Sequence, residues 1–295
     1  MKNVKKRLRE KPAKSATLRR EADKTGTQPI QPARSLENSW QLYRPRDWGR
    51  FIRKLDRSSI PYLSHSKLFS LERCPRCYYR EYILHIKQES DALNRGTLFH
   101  QTAKTFYAAL KDGRRIKPAL SAQQVRDMCL SNEDSLKLRN ALKLMQNNQW
   151  EKHDILAVEE CFFMDLAPGL PPIIGVPDLV LLRDGSLLIV DHKTSKSFND
   201  LDASQLILYA EFYRRQRSIN SIIGVFDEYR LVTDLAKIKK PAFRRTPVSV
   251  DRFFLPTLIA RYRKAWKRIV SIQKSGEPES SPDCWICNQA SYSTW

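Results

Sequence analysis

The chain has 295 residues, enough for one large domain or two small ones, and its 41% hydrophobic content suffices for a packed core. Lys plus Arg outnumber Asp plus Glu by 52 to 32, and the formal charge of +20 points to a polyanionic partner, nucleic acid or an acidic membrane surface. No apolar run approaches the roughly 18–20 residues needed to cross a bilayer, and the N-terminus has no apolar stretch of a secretory signal, so no membrane insertion and a cytoplasmic location are expected.

Residues 1–36 carry eleven Lys or Arg against three acids and few large apolar side chains, and read as a disordered basic arm. Such an arm is either a tether to DNA or a solubilising tail. Trp40, Tyr43, Trp48, Phe51 and Ile52 then suggest a segment that packs on a single domain covering 37–295. Helices are expected over Ser66–Leu84, over Arg95–Lys111 with Phe99, Ala103, Phe106, Tyr107 and Leu110 on one stripe, and once or twice within 121–149. Residues 64–150 thus form a helical segment. Strands follow at about 155–165, 173–182 and 187–193, then a helix over Asp200–Arg217 and a strand over Ser218–Arg230, making 155–230 the α/β core. A long basic helix over Asp251–Lys274, capped by Asp251, begins a C-terminal part that runs to 295. Helices followed by β–β–β–α–β predict a three-layer α/β core, a central mixed sheet flanked by helices, with the helical part N-terminal to it.

The most informative stretch is 175–193. Two apolar runs, Ile173–Leu182 and Leu187–Val190, flank Arg183-Asp184-Gly185, a sequence suited to a tight turn between antiparallel strands. Asp178 interrupts the first run and Asp191 ends the second, and Lys193 lies two residues on, hence on the same face as Asp191. Charges among Val, Ile and Leu need partners or a metal to offset desolvation. Two carboxylates and an ammonium brought together by a hairpin suit a hard divalent cation with a water beside it, and so phosphodiester hydrolysis.

Cys74-Pro75-Arg76-Cys77 and Cys284-Trp285-Ile286-Cys287 are two Cys-x-x-Cys pairs about 210 residues apart. Together they can complete a tetrathiolate site that clips the C-terminal tail to the first helix. Cys129 and Cys161 stand alone and are expected in the core. Lys237, Lys239, Lys240, Phe243, Arg244 and Arg245 form a basic loop interrupted by an aromatic, suited to tracking phosphates and stacking one base. Arg261, Arg263, Lys264, Lys267 and Arg268 extend a positive surface along the last helix.

The order of these segments resembles the PD-(D/E)XK nuclease superfamily and, within it, the RecB/AddB-type branch. Ser64-His65-Ser66-Lys67-Leu68 followed by Cys74-Pro75 is similar to that branch's opening helix, and Gly96-Thr97-Leu98-Phe99-His100 to its histidine motif. Val158-Glu159-Glu160, Gly175-Val176-Pro177-Asp178, Asp191-His192-Lys193 and Gln205 with Tyr209 match the later motifs in order. The resemblance runs from about Leu63 to the C-terminus. It implies a restriction-endonuclease-like core, with His100, Asp178 and Asp191 as ligands of Mg²⁺ or Mn²⁺ and the His192 carbonyl as a further oxygen. It implies Lys193 at the attacking water and scissile phosphate, Gln205 and Tyr209 on one helical face at the site wall, and Glu159 orienting the helix of His100 or assisting the metal.

The branch's iron–sulfur staple has one upstream and three downstream cysteines. Here Ser293 stands where the last cysteine falls and Cys77 is an extra upstream thiol. A 4Fe–4S cluster on Cys74, Cys77, Cys284 and Cys287 is expected ahead of a structural Zn²⁺. The resulting expectation is a metal-dependent DNA exonuclease acting on single-stranded or broken ends in recombination, repair or replication, encoded by a bacterial cell, phage or mobile element, with a helicase or recombination partner. A structure-specific endonuclease and an inactive DNA-binding scaffold are the alternatives.

Overall fold

The computed structural model describes residues 47–287 apart from 59, 87–89, 199, 218 and 285; the expected basic arm, Trp40, Tyr43 and Ser293 lie outside the described residues. Among the described residues helix α1 (Trp48–Arg57) comes first, and its Phe51 and Leu55 bury against Tyr62, Cys161 and Ile174. After the two-residue strand β1 (Leu63–Ser64), α2 (His65–Arg73) starts with the Ser64 hydroxyl accepting the Lys67 N–H at 3.1 Å. The single helix expected over 66–84 breaks at Cys74, which is extended at φ −160° and ψ 116°. The physical reason is Pro75, whose ring disfavours helical backbone in the residue before it. The short α3 (Pro75–Tyr78) and a π-helical turn (Tyr79–Ile83) complete the segment.

The long α4 (Asp91–Lys111) is capped by Ser90, and α5 (Ala122–Asp127) and α6 (Asn132–Asn147) follow. Strands β2 (Ile155–Val158), β3 (Phe162–Met164), β4 (Ile173–Gly175), β5 (Leu179–Arg183) and β6 (Ser186–Ser195) come next. Helix α7 (Ser204–Arg217), β7 (Ile222–Arg230), β8 (Phe243–Val248) and α8 (Leu255–Ser275) close the fold. Asp251 caps the 3₁₀ turn Arg252–Phe254 that leads into α8.

A mixed five-stranded sheet, β2-β5-β6-β7-β8, is the central layer, antiparallel except for the β6–β7 pair. One face receives α4 and α6, with Phe99, Phe106, Tyr107 and Leu142 against Leu179, Leu181, Val190 and Val225. The other receives α7, α8 and α2, with Leu206, Phe212 and Leu258 clustered with Val180, Ile189 and Phe226. Strand side chains alternate between these two cores, as the period of two requires. The three-layer expectation holds.

A second, three-stranded sheet, β1-β4-β3, was not expected. The runs read as single strands at 155–165 and 173–182 both split, and each half joins a different sheet. The first breaks at Glu159, whose φ is +43°; the second breaks across Val176-Pro177-Asp178, where Pro177 offers no N–H to a ladder. Gly175 is needed just before this break, because a Cβ there would lie 2.3 Å from the Phe162 ring and 2.7 Å from the Tyr209 ring. The Glu159 N–H donates to the Asp178 carbonyl at 3.0 Å, so both breaks lie side by side and form a fork at the rim of the central sheet.

Two further expectations are corrected. Phe243, Arg244 and Arg245 belong to edge strand β8 rather than to a loop, because Arg244 and Arg245 stand directly opposite the buried acids Glu228 and Asp227 of β7. Arg245 bonds Asp227 in a fork, Nε to Oδ1 at 2.7 Å and Nη2 to Oδ2 at 2.9 Å, while lying 3.7 Å from the Trp150 ring centroid. Cys129 is exposed on the turn after α5, not in the core, whereas Cys161 is buried as expected. Among the described residues, no helix is long and apolar enough to cross a membrane.

Because Asp227 is fully buried, removing its guanidinium partner strands a charge. Arg245→Ala should destabilise the fold by about 3–5 kcal/mol, read from urea denaturation. An unchanged midpoint would show that this cross-strand pair does not hold β8 on the sheet.

Candidate functional site

The β5–β6 hairpin closes through Asp184 and Gly185, whose φ values of 50° and 75° fit a two-residue turn that matches the twist of its strands. The opposite end of the hairpin carries the site. Asp178 sits at the fork just before β5, and Asp191 and Lys193 project from β6 towards α7. His192, between them, points the other way and is buried among aromatic rings. Its imidazole lies parallel to Tyr107 (centroids 5.5 Å, 10°) and edge-on to Phe99. Burial pushes its pKa down, so this imidazole stays neutral. Its backbone does contribute: the His192 N–H donates to Asp178 Oδ2 at 2.7 Å.

Lys193 Nζ lies 2.7 Å from Asp191 Oδ2, and His100 Nδ1, from the first half of α4, lies 3.2 Å from Asp178 Oδ1. The four side chains read from the sequence as one constellation therefore form two adjoining ion pairs at the rim of the sheet. Burial opposes ionisation of Asp178, yet His100 and the His192 N–H outweigh it and hold the carboxyl down at about 2. Burial and the repulsion of Asp178 push Asp191 the other way, upward, against the pull of Lys193 and His100. His100 would lose its proton on burial alone, but Asp178 and then Asp191 raise it to about 9. Lys193 is likewise lifted by Asp191 and Asp178 despite its burial and remains an ammonium. The two acids thus stand in environments that push their pKa values in opposite directions.

Neighbouring side chains fix these groups. Lys193 Nζ donates to Gln205 Oε1 at 3.4 Å, Gln205 Nε2 donates to the Tyr209 hydroxyl at 2.7 Å, and that hydroxyl donates to the Val176 carbonyl at 3.2 Å. Gln205 and Tyr209 share one face of α7, as their spacing predicts. Glu159 lies 2.9 Å from Lys104, one turn beyond His100 on α4.

The donor set suits a hard divalent cation. Asp191 Oδ2 is buried and, apart from the Lys193 ion pair, has no well-aligned hydrogen bond. The 3.2 Å between His100 Nδ1 and Asp178 Oδ1 is close to the ~3.0 Å edge of an octahedron with bonds of about 2.1 Å. One nitrogen among carboxylate oxygens accepts Mn²⁺ as well as Mg²⁺.

The second constellation is more tightly gathered. Cys74, Cys77, Cys284 and Cys287 are all buried, and their sulfurs lie within 4.8 Å of one another. Cys77 Sγ is 3.4 Å from Cys284 Sγ and 3.6 Å from Cys287 Sγ, and Cys74 Sγ is 3.8 Å from Cys287 Sγ. Burial pushes the Cys74 thiol up, but N–H groups of Cys77 and Ser281 outweigh it and bring it down to about 6, which favours a thiolate ligand. The clip joins the junction of α2 and α3 to the segment that follows α8.

The expected nucleic-acid contacts divide. Lys237, Lys239 and Lys240 are exposed on a loop after β7, and that loop is tied to the end of β6 by the Leu231 N–H bond to the Ser195 carbonyl at 2.8 Å. Lys237 pairs with Asp234 of the same loop at 3.3 Å. Arg244 and Arg245 instead spend their guanidiniums on Glu228 and Asp227. Arg261 likewise bridges Glu72 and Asp202, holding α8 to α2 and to the entry of α7.

Sequence reasoning assigned no role to His65. Its Nε2 lies 3.1 Å from Ser204 Oγ at the start of α7, and burial, with the nearby charge of Lys193, lowers its pKa to about 4. Its place in the opening-helix motif was the available signal.

The profile of the PD-(D/E)XK nuclease superfamily matches residues 62–292. No curated protein matches the chain. Among solved structures, a "Putative exonuclease" from Eubacterium rectale is similar with a TM-score of 0.50 at 13% identity, over 79% of this chain and 90% of that one. The protein SSO0001 is also similar at 13% identity, over 75% of this chain and 86% of that one, with a TM-score of 0.35.

Proposed function

The chain belongs to the PD-(D/E)XK nuclease superfamily, and from that premise we propose a Mg²⁺- or Mn²⁺-dependent deoxyribonuclease of the RecB/AddB type, an exonuclease acting on single-stranded or broken DNA ends. The observation that carries this reading is the shared pocket at the fork, with Asp191 and Lys193 2.7 Å apart beside the His100–Asp178 pair. Asp178, Asp191 and His100 would hold the cation, with the His192 carbonyl as a further oxygen. When bound, the cation supplies Lewis acidity to the phosphate and a lowered pKa to water.

The chain's own residues do the positioning. Lys193, kept charged by Asp191 and Asp178, contacts the attacking water and the scissile phosphate and stabilises the negative charge that develops there. A lysine held above its ordinary pKa serves as a donor and cation rather than as the base. Gln205 sets the Lys193 ammonium, and Tyr209 anchors Gln205 to the Val176 carbonyl, close to Asp178. In-line attack by water leaves a 5′-phosphate. Lys237, Lys239 and Lys240, exposed on the loop after β7, would track the phosphate backbone, so binding weakens steeply with salt. A role in repair, recombination or replication, with a helicase or recombination partner, belongs to the same reading.

For the four cysteines the sulfur geometry favours one tetrahedral ion. A zinc tetrathiolate with bonds of about 2.3 Å has sulfurs roughly 3.8 Å apart; three of the sulfur pairs here lie 3.4–3.8 Å apart and all four sulfurs lie within 4.8 Å of one another. A four-iron cube must fit between its thiolates and needs them much further apart. Structural zinc is therefore the reading proposed here, in place of the iron–sulfur cluster that the resemblance implies.

Lys193→Ala and Asp191→Ala should each lower Mn²⁺-dependent digestion of end-labelled DNA by about 10²–10³-fold or more while leaving DNA binding largely intact. Cleavage persisting in both variants would overturn the assignment, and digestion of circular single strands would replace the exonuclease with an endonuclease. Elemental analysis should find one zinc per chain and no visible absorption band; stoichiometric iron with such a band would restore the cluster.

A further inference from the structure

The outward face of α2 carries an aromatic plate beside the catalytic pocket that the proposed chemistry does not use. Phe69 is 52% exposed on a helix whose Leu68 and Leu71 neighbours are buried. Its ring is nearly parallel to that of His65, at 19° with centroids 6.5 Å apart. His65 in turn touches Ser204, the residue before Gln205, and lies within the electrostatic reach of Lys193. The plate therefore begins at the pocket wall and extends away from it by one helical turn.

Charge around the plate suits a polyanion. Arg73 lies one turn beyond Phe69, with its guanidinium carbon 6.0 Å from the ring centroid. The nearby acids are neutralised: Arg261 Nη2 meets Glu72 at 2.7 Å and Arg261 Nη1 meets Asp202 at 3.0 Å. An exposed ring with the Arg73 guanidinium over it, and with adjacent acids cancelled, offers stacking to a base and a cation to its phosphate.

We propose that Phe69, with His65 stacked beside it and the Arg73 guanidinium over its ring, is a stacking subsite for an unpaired base of single-stranded DNA, one or two nucleotides from the scissile phosphate. The subsite rests on the nuclease reading and deepens it: a base inside a duplex has no free face to offer, so this plate selects single strands. It selects no sequence, because every base presents a π-face.

Binding of fluorescein-labelled oligothymidylate, with and without abasic spacers, tests the subsite in a Lys193→Ala background. Phe69→Ala should weaken binding of the intact oligonucleotide by about 5-fold or more, the lower end of one lost base–aromatic contact, and leave the abasic one unaffected. Phe69→Trp should restore affinity, and the fluorescence of the introduced indole should be quenched by intact but not by abasic DNA. Equal affinity of the Phe69→Ala and parent proteins for intact DNA, or equal quenching by both oligonucleotides, would overturn the subsite. Wild-type cleavage is scored separately, so failure of the stacking plate is distinguishable from failure of the nuclease reading.

Discussion

Two carboxylates brought close together at the edge of an apolar sheet repel one another and lose hydration, and each remains ionised only while a cation faces it. In this chain Asp178 is compensated by His100 and Asp191 by Lys193. The compensating groups come from different elements, so the electrostatics of the pocket depend on where α4 and β6 are held. The surrounding architecture consists largely of devices that hold them. Glu159 ties α4 at Lys104, the aromatic enclosure of His192 fixes the strand between Asp191 and Lys193, and the Gln205–Tyr209 relay joins β6 to α7 and to the Val176 carbonyl.

The same logic recurs further out. Asp227 and Glu228 are buried on β7 and are met by Arg245 and Arg244 of β8, which converts two desolvated acids into a strand-pairing device. Arg261 draws Glu72 and Asp202 together, and the cysteine clip closes the far end of α2. Helix α2 is thereby held at both ends, with its start at the pocket and its finish at the thiolates. Its exposed Phe69 stands on a fixed support, the condition under which a ring can receive a base without a large ordering cost.

The parts legible in the sequence were those set by local periodicity. Alternation in Leu187–Lys193 placed Asp191 and Lys193 on one face and His192 on the other, and the i,i+4 spacing of Gln205 and Tyr209 placed them together on α7. The forked strands were not legible, because Ile173–Leu182 remains apolar across the break and only Pro177 marked it. Cys74-Pro75 did carry a sufficient signal for ending a helix, and the helical pattern around it obscured that signal. Strand β8 was misread because Arg244 and Arg245 look like solvent-facing charges until Asp227 and Glu228, acids inside an apolar strand, are recognised as needing partners across a ladder. His65 is marked in sequence only by its place in the opening-helix motif, and the fold sets it against Ser204 at the start of α7.

The central claim is that the fork gathers His100, Asp178 and Asp191 around a single divalent-cation position next to Lys193. Anomalous scattering from crystals soaked in Mn²⁺ tests this most directly. The account predicts one strong peak bonded to Asp178 and Asp191, with His100 in reach and Lys193 displaced towards Gln205. A fully soaked crystal with no peak in this pocket, or with manganese held elsewhere and the two ion pairs unchanged, would contradict it.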